Sequence, residues 1–169
     1  MSIKSRNIIT LCSYLFFYSF SFGKELFITR DGNIDFFSST PIEDIKAINN
    51  QVSCVLNKST GEFAFQVPIK GFIFKNALMQ EHFNENYLES DIYPTSVFQG
   101  KVVDPKTYVI KNGNTRVKGS LKIHGETNPI IVDGDLIRKE DIVNIKADFS
   151  IKLEDYNIDI PKIVIYNIA

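Results

Sequence analysis

The sequence is poor in the residues from which most small active sites are built. Its 169 residues include two histidines, two cysteines and no tryptophan. So few imidazole and thiol groups argue against a structural zinc site, and we expect no metal. Lysine and arginine total 19 against 20 aspartate and glutamate residues, a net charge of −1. The chain therefore lacks the basic excess with which proteins contact phosphate backbones, and we expect no nucleic-acid partner.

The common catalytic and cofactor-binding motifs are also missing. No Gly-x-Ser-x-Gly elbow, phosphate-binding loop or dinucleotide fingerprint occurs, so no cofactor is predicted. Two catalytic hypotheses stay open: Glu81 and Glu85 as a carboxylate pair, or His82 as a base aided by one of them. The favoured alternative for all three is a helix surface. His124 precedes a glycine at a predicted hairpin, where a hydrogen bond to the backbone accounts for it. We expect no enzyme and no catalytic residues.

The chain has one uncharged apolar run, and it lies near the N-terminus. Two cations precede the stretch 8–22, and small residues at 21 and 23 separate it from the charged Lys24. This order predicts a signal peptide over residues 1–23, cleaved after Gly23. Because a membrane-spanning helix needs roughly 20 apolar residues, the run is too short to span a bilayer. We expect a periplasmic or secreted protein without a stable membrane anchor after cleavage.

The segment 24–169 is the length of one domain and contains a single cysteine, Cys54. It cannot form an internal disulfide, so its stability must come from its core or from a ligand. The simplest interpretation of Cys54 is a small buried apolar side chain.

Apolar and polar residues alternate with period two over much of this segment. The alternation is clearest over 62–70, 115–124 and 142–154, which predicts antiparallel strands with one dry and one wet face. Weaker patterns predict further strands at 25–30, 33–38, 47–57, 95–103, 127–137 and 163–168.

Two segments are predicted to be helical. Over 76–89, Met79, Phe83 and Tyr87 recur at the spacing of an amphipathic helix. A second short helix is predicted at 42–46, after Thr40 and Pro41. The predicted class is all-β, with about eight strands and one covering helix. Either a sandwich or a closed barrel would bury the apolar faces of these strands.

An eight-stranded barrel is wide enough to hold one apolar ligand. Gly119, Gly134 and Ala147 fall on dry faces, where small side chains would leave space. The other explanation for them is that the strands coil tightly at these positions.

Four blocks in order resemble the YceI-like family of secreted lipid-binding proteins, in its Bacteroidetes type. They are an opening strand and proline-led turn at 34–45, a helix at 78–91 followed by Tyr93-Pro94-Thr95, the Ile-His-Gly hairpin at 119–127, and a late block at 153–158. The resemblance implies an extended lipocalin-like antiparallel β-barrel that holds a long isoprenoid chain, either a polyprenyl lipid or an isoprenoid quinone. Family members run on past the equivalent of 163–168. This chain stops at Ala169, so we expect either a truncated barrel that lacks this strand or a shortened last strand.

We expect the ligand to lie against apolar side chains of the dry strand faces and of the helix. These are Phe63, Phe65, Val67, Ile69, Met79, Phe83, Val117, Leu121, Ile123, Val143, Ile145, Ala147, Phe149 and Ile151. The main hypothesis is an exported carrier or buffer for this lipid. The alternatives are a structural or partner-binding protein, which predicts a homodimer, and an enzyme that uses His82.

Overall fold

The computed structural model describes residues 26–39, 44–103 and 112–159. The predicted signal peptide at 1–23 and the predicted last strand at 163–168 lie outside the described residues. Within the described ranges, no helix is long and apolar enough to cross a membrane.

The described chain forms one antiparallel sheet that curls into a nearly closed barrel. Hydrogen-bonded neighbours follow the order β1-β2-β3-β5-β6-β7-β8, and β4 pairs with β2. This all-β architecture with a single α-helix confirms the predicted fold class. The strands are β1 (Leu26–Ser39), β2 (Asp44–Asn57), β3 (Glu62–Pro68), β4 (Ile73–Phe74), β5 (Thr95–Val102), β6 (Gly113–Ile123), β7 (Glu126–Lys139) and β8 (Ile142–Ala147).

The burial of β3 and β6 follows the predicted alternation. On β6, Val117 and Leu121 are buried while Arg116 and Lys118 are exposed. On β3, Val67 is buried and Glu62 is exposed. Period-two alternation thus places one face of each strand inside the barrel.

The segments 25–30 and 33–38, predicted as separate strands, belong to the single strand β1. Its pairing with β2 shifts register on both sides of Gly32, so bulges carry the strand through. The β2 partner contains a fully buried asparagine, Asn49. Its Oδ1 accepts from the backbone N–H of Gln51 and its Nδ2 donates to the carbonyl of Pro68, each at 2.8 Å.

The helix predicted at 42–46 is wrong for its described part, because Asp44 already lies in β2. Residues 42 and 43 lie outside the described residues. Ile45, Ala47 and Asn49 point inward at period two, which fits a strand and not a helix.

The strand predicted over 142–154 is too long, since β8 ends at Ala147. Ile151 and Leu153 continue the apolar alternation beyond the end of β8. They do so because both pack against the core, although neither lies in a strand. A 3₁₀ turn follows at Leu153–Tyr156.

The predicted helix at 76–89 is present as α1 (Ala77–His82), which continues into a π-helical turn at Phe83–Tyr87. Asn76 caps α1, because its side chain accepts from the backbone N–H groups of Leu78 and Met79.

The main core lies where α1 covers the barrel, and we call it the helix-end cluster. Its members are Ala47, Val52, Val67, Ile69, Phe72, Phe74, Met79, Phe83, Tyr87, Leu88, Leu121, Tyr156 and Ile158. The opposite end, which we call the far end, carries the β2–β3 turn at 58–61 and the β7–β8 turn at 140–141.

Candidate functional site

The predicted lining residues fall into three groups. Eight of them meet at the helix end. Val67, Ile69, Met79, Phe83 and Leu121 belong to the helix-end cluster, and Phe65, Ile123 and Ile151 pack against it partly buried.

A second group lies toward the far end, and the third is exposed. Val117 is buried, and Phe63, Val143 and Ile145 are half-buried. Ala147 and Phe149 are exposed, Phe149 by 49%. The ladder of β8 ends at Ala147, so no β7 partner holds Phe149 over the interior.

Three phenylalanine rings form a layer between the two ends, and we call it the aromatic layer. Phe63 and Phe65 lie on β3 and Phe98 on β5, where Phe98 is paired directly opposite Phe65. The ring centroids of Phe63 and Phe98 are 5.5 Å apart, and those of Phe65 and Phe98 are 6.3 Å apart. Phe63 meets Phe65 edge to face at 5.4 Å. Such tilted contacts are the favoured arrangement of aromatic pairs.

Phe98 leans over two glycines that face each other across β5 and β6. Gly100 and Gly119 are direct partners in that ladder. A Cβ atom on Gly100 would lie 2.6 Å from Cζ of Phe98, and one on Gly119 would lie 2.8 Å from the same atom. The ring therefore occupies the volume that a side chain at Gly100 would fill. At Gly119 a Cβ atom would meet the backbone oxygen of Gln99 and Cα of Gly100 as well as the ring. The small residue at 119 does not leave free space here.

Gly134 fits the second explanation for small residues on dry faces, which is close packing of the strands. A Cβ atom there would lie 2.8 Å from the carbonyl oxygen of Lys146 and 2.9 Å from Cβ of Ala147. At this position the small residues permit a close approach of β7 and β8.

A shallow depression of about 360 Å³ lies toward the far end, largely on the outer face of β2, β3 and β5. Val55, Ala64 and Gln99 lie in one cross-strand row of β2, β3 and β5 and form part of it. The full lining is Leu26, Val55, Asn57, Glu62, Phe63, Ala64, Gln99 and Gly100.

The catalytic candidates Glu81, His82 and Glu85 lie on α1 and the π-helical turn that follows it. Glu81 and Glu85 are exposed. Nδ1 of His82 and Oδ1 of Asn84 are buried atoms without a hydrogen-bond partner among the described residues. The ring of His82 lies edge-on to Tyr87 at 6.5 Å. Over 26–39, 44–103 and 112–159, no group of three or more His, Cys, Asp or Glu side chains is placed to hold a metal ion.

His124 has a structural environment. Its Nδ1 lies 3.1 Å from the carbonyl oxygen of Tyr156, its Nε2 lies 2.7 Å from Oε2 of Glu89, and its ring meets Tyr93 edge-on at 4.7 Å. The predicted hydrogen bond to the backbone is present.

The barrel has an ion pair on its outer face and a buried thiol inside. On the outer face, Arg116 of β6 and Asp133 of β7 form a bidentate pair at 2.7 and 2.8 Å, and the guanidinium lowers the pKa of Asp133. Inside, burial raises the pKa of the Cys54 thiol to about 11.

Phe98 is one of several interior residues that are absent from the predicted lining set. Others are Leu56, Val132 and Leu136. The strand that contains Phe98 was predicted, but no property of the segment 95–103 alone shows that the tip of the Phe98 ring reaches Gly119 on the neighbouring strand. The signal depends on the β5–β6 register, which alternation does not fix.

Comparisons with known proteins agree with this architecture. A domain from Saccharophagus degradans, described as a polyisoprenoid binding domain implicated in plant cell wall breakdown, superposes with a TM-score of 0.65 at 14% identity, over 79% of this chain and 81% of that one. BcnA from Burkholderia cenocepacia superposes with a TM-score of 0.61 at 12% identity, over 77% and 81% of the two chains. No match was found among curated protein sequences.

The model of the YceI-like domain matches residues 27–168, which is most of the chain. The chain is a member of the YceI-like domain family.

Proposed function

We propose that this protein binds a long-chain isoprenoid lipid, of polyprenyl or quinone type, inside its barrel and acts as an exported carrier or buffer without catalysis. The observation that carries the proposal is the largely apolar inner face of β3, β5 and β6, built around Phe65, Phe98 and Leu121. A solved structure with the same fold is described as a polyisoprenoid binding domain.

Apolar burial alone would supply the affinity. Removing apolar surface from water contributes roughly 25 cal/mol per Å², from which the costs of ordering the ligand are subtracted. A polyprenyl tail has a large apolar surface and needs no network of polar contacts. The scarcity of paired polar groups in the described interior fits such a ligand.

The proposed contact set is the one predicted from the sequence. Its far-end members Phe63, Val117, Val143 and Ile145 lie outside the packed helix-end cluster, so a ligand that enters from the far end contacts them first. The helix-end members would then form the floor of the site. Export rests on the predicted signal peptide.

The first test is native mass spectrometry of the chain 24–169, purified from periplasm without detergent, followed by extraction and identification of bound molecules. We expect one isoprenoid lipid per chain. A homogeneous, empty protein that also rejects added isoprenoid quinones would refute the proposal.

Two isoleucines of β8 provide a matched pair of variants. Ile145 points inward and is half-buried, whereas Ile142 is exposed on the outside. We expect Ile145→Asp to abolish lipid retention and Ile142→Asp to preserve it. Equal retention by both folded variants would remove β8 from the site.

A partner-binding role is the second candidate, and β1 supports it. Among the described residues β1 pairs only with β2, and it exposes Leu26, Ile28 and Phe37. An unpaired apolar edge can associate with a second copy. This role predicts a homodimer whose mass halves in the Ile28→Lys variant, and a monomeric wild type would exclude it.

A further inference from the structure

We propose that Phe98 determines how long an apolar chain the barrel accepts. This inference rests on the proposed function and names the residue that limits the ligand. It comes from the position of one ring between two parts of the interior.

Inward-facing residues form successive rows across the sheet. One row contains Phe65, Phe98 and Leu121, and the next row toward the far end contains Phe63, Gly100 and Gly119. Phe98 belongs to the first row, but its ring extends over the glycines of the second.

The ring is held in this position from several sides. Its Cζ atom is close to both glycines, and Phe63 and Phe65 contact its edges and face. A Cβ atom on Gly100 would also come within 2.9 Å of Cγ1 of Val117. The ring thus fills a notch formed by two adjacent residues without side chains.

The aromatic layer divides the interior along the barrel axis. On the helix side lies the helix-end cluster, with Val67 and Leu121 nearest to the layer. On the far side, Leu56, Val117, Val132 and Leu136 are buried but do not belong to that cluster. A chain that enters from the far end reaches the ring of Phe98 before it reaches the helix-end cluster.

Removal of this ring has a predictable effect on the length of the apolar chain that the barrel accepts. Neither glycine has a side chain that could refill the notch, so truncation of Phe98 leaves an apolar slot instead of a repacked wall. A phenyl ring and an isoprene unit are of similar size. The slot therefore accepts about one more isoprene unit of the ligand.

The experiment measures the binding of a polyprenol series that lengthens by one isoprene unit at a time, from farnesol to undecaprenol, by native mass spectrometry and competition. The proteins are wild-type 24–169, Phe98→Ala and Phe98→Trp. The control is Phe37→Ala, which removes a ring that is exposed on the outside of β1.

We expect Phe98→Ala to shift the preferred length upward and to improve binding of the next longer homologue about tenfold over wild type. Phe98→Trp is expected to shift the preference to shorter chains, and Phe37→Ala to leave it unchanged. Circular dichroism and thermal melting establish that each variant is folded. If Phe98→Ala does not fold, Phe98→Leu replaces it with a smaller expected shift in the same direction.

The outcomes separate the two proposals. If wild type and the folded Phe98 variants bind prenols with the same length preference, Phe98 is an ordinary core residue and the inference is overturned. If wild type binds no prenol at all, the carrier proposal itself fails.

Discussion

Nε2 of His124 and Oε2 of Glu89 lie 2.7 Å apart, although 35 positions separate the two residues in sequence. Both have left-handed backbone conformations, with φ of 49° for His124 and 43° for Glu89. A carbonyl oxygen only accepts, so Nδ1 of His124 donates to Tyr156. The imidazole thereby joins the β6–β7 turn to the segment after α1 and to the 3₁₀ turn at Leu153–Tyr156. This junction gives the histidine of the Ile-His-Gly hairpin a structural role.

Replacement of His124 should destabilise the fold without affecting ligand chemistry. We expect His124→Ala to lower the free energy of unfolding by about 1–3 kcal/mol, because Glu89 and the Tyr156 carbonyl both lose a partner in a partly buried site. Urea denaturation measures the loss. The control is Lys122→Ala on the exposed face of the same strand, and an equal effect of both changes would contradict the structural role.

Stability should decline at alkaline pH because of Cys54. Burial raises the pKa of its thiol from the usual 9.0 to about 11, so the folded chain keeps a proton that the unfolded chain loses. This contribution is fully present below pH 9 and is lost as the pH rises toward 11, a change of about 2 kcal/mol in unfolding free energy. Burial also raises the pKa of Tyr87 and Tyr156, which acts in the same direction.

The comparison that isolates this effect is Cys54→Val, followed by denaturation at several pH values. We expect the variant to lose less stability than wild type between pH 9 and 11. The part of the loss that comes from the two tyrosines should remain. Parallel profiles for the two proteins would show that the thiol does not titrate differently in the folded state.

The contact of Phe98 with its glycines should appear as a coupling energy. Gly100→Ala is expected to destabilise wild type, because the new methyl group meets the Phe98 ring and Cγ1 of Val117. It should cost less in a Phe98→Ala background, where only the contact with Val117 remains. A double-mutant cycle measures the coupling, which we expect to reach about 1 kcal/mol.

Gly119→Ala is the matched contrast in this cycle. Its new methyl group would also meet the backbone oxygen of Gln99, which truncation of Phe98 does not relieve. Rescue of both glycine variants by Phe98→Ala would mean that the backbone gives way at Gly119.

The sequence predicted those parts of the fold that depend on local alternation. The faces of β3 and β6 follow directly from the spacing of residues such as Val67 and Leu121. The two predicted strands at 25–30 and 33–38 are one strand, because bulges at Gly32 continue a ladder where alternation breaks. The strand predicted over 142–154 shows the reverse case. Ile151 and Leu153 continue the alternation there, but they pack against the core without a strand ladder.

The candidate site depends more on register than on pattern. Alternation selected Phe63 and Phe65 for the interior but passed over Phe98, whose role requires knowledge that Gly100 and Gly119 are partners. It also grouped Phe149 with the interior, because no local property marks the residue at which β8 stops pairing with β7. The lining set as a whole stays a prediction until a ligand is bound and mapped.

The helix-end cluster draws on both ends of the described chain, since Ile34 and Phe36 pack against a group that includes Tyr156 and Ile158. During synthesis, a nascent chain that ends before the 3₁₀ turn has neither of these last two residues. Its early strands can pair, but its main core and the partners of His124 remain incomplete. Contacts of such high sequence separation form late and slowly. The main core is therefore complete only when residues from both ends of the described chain are present.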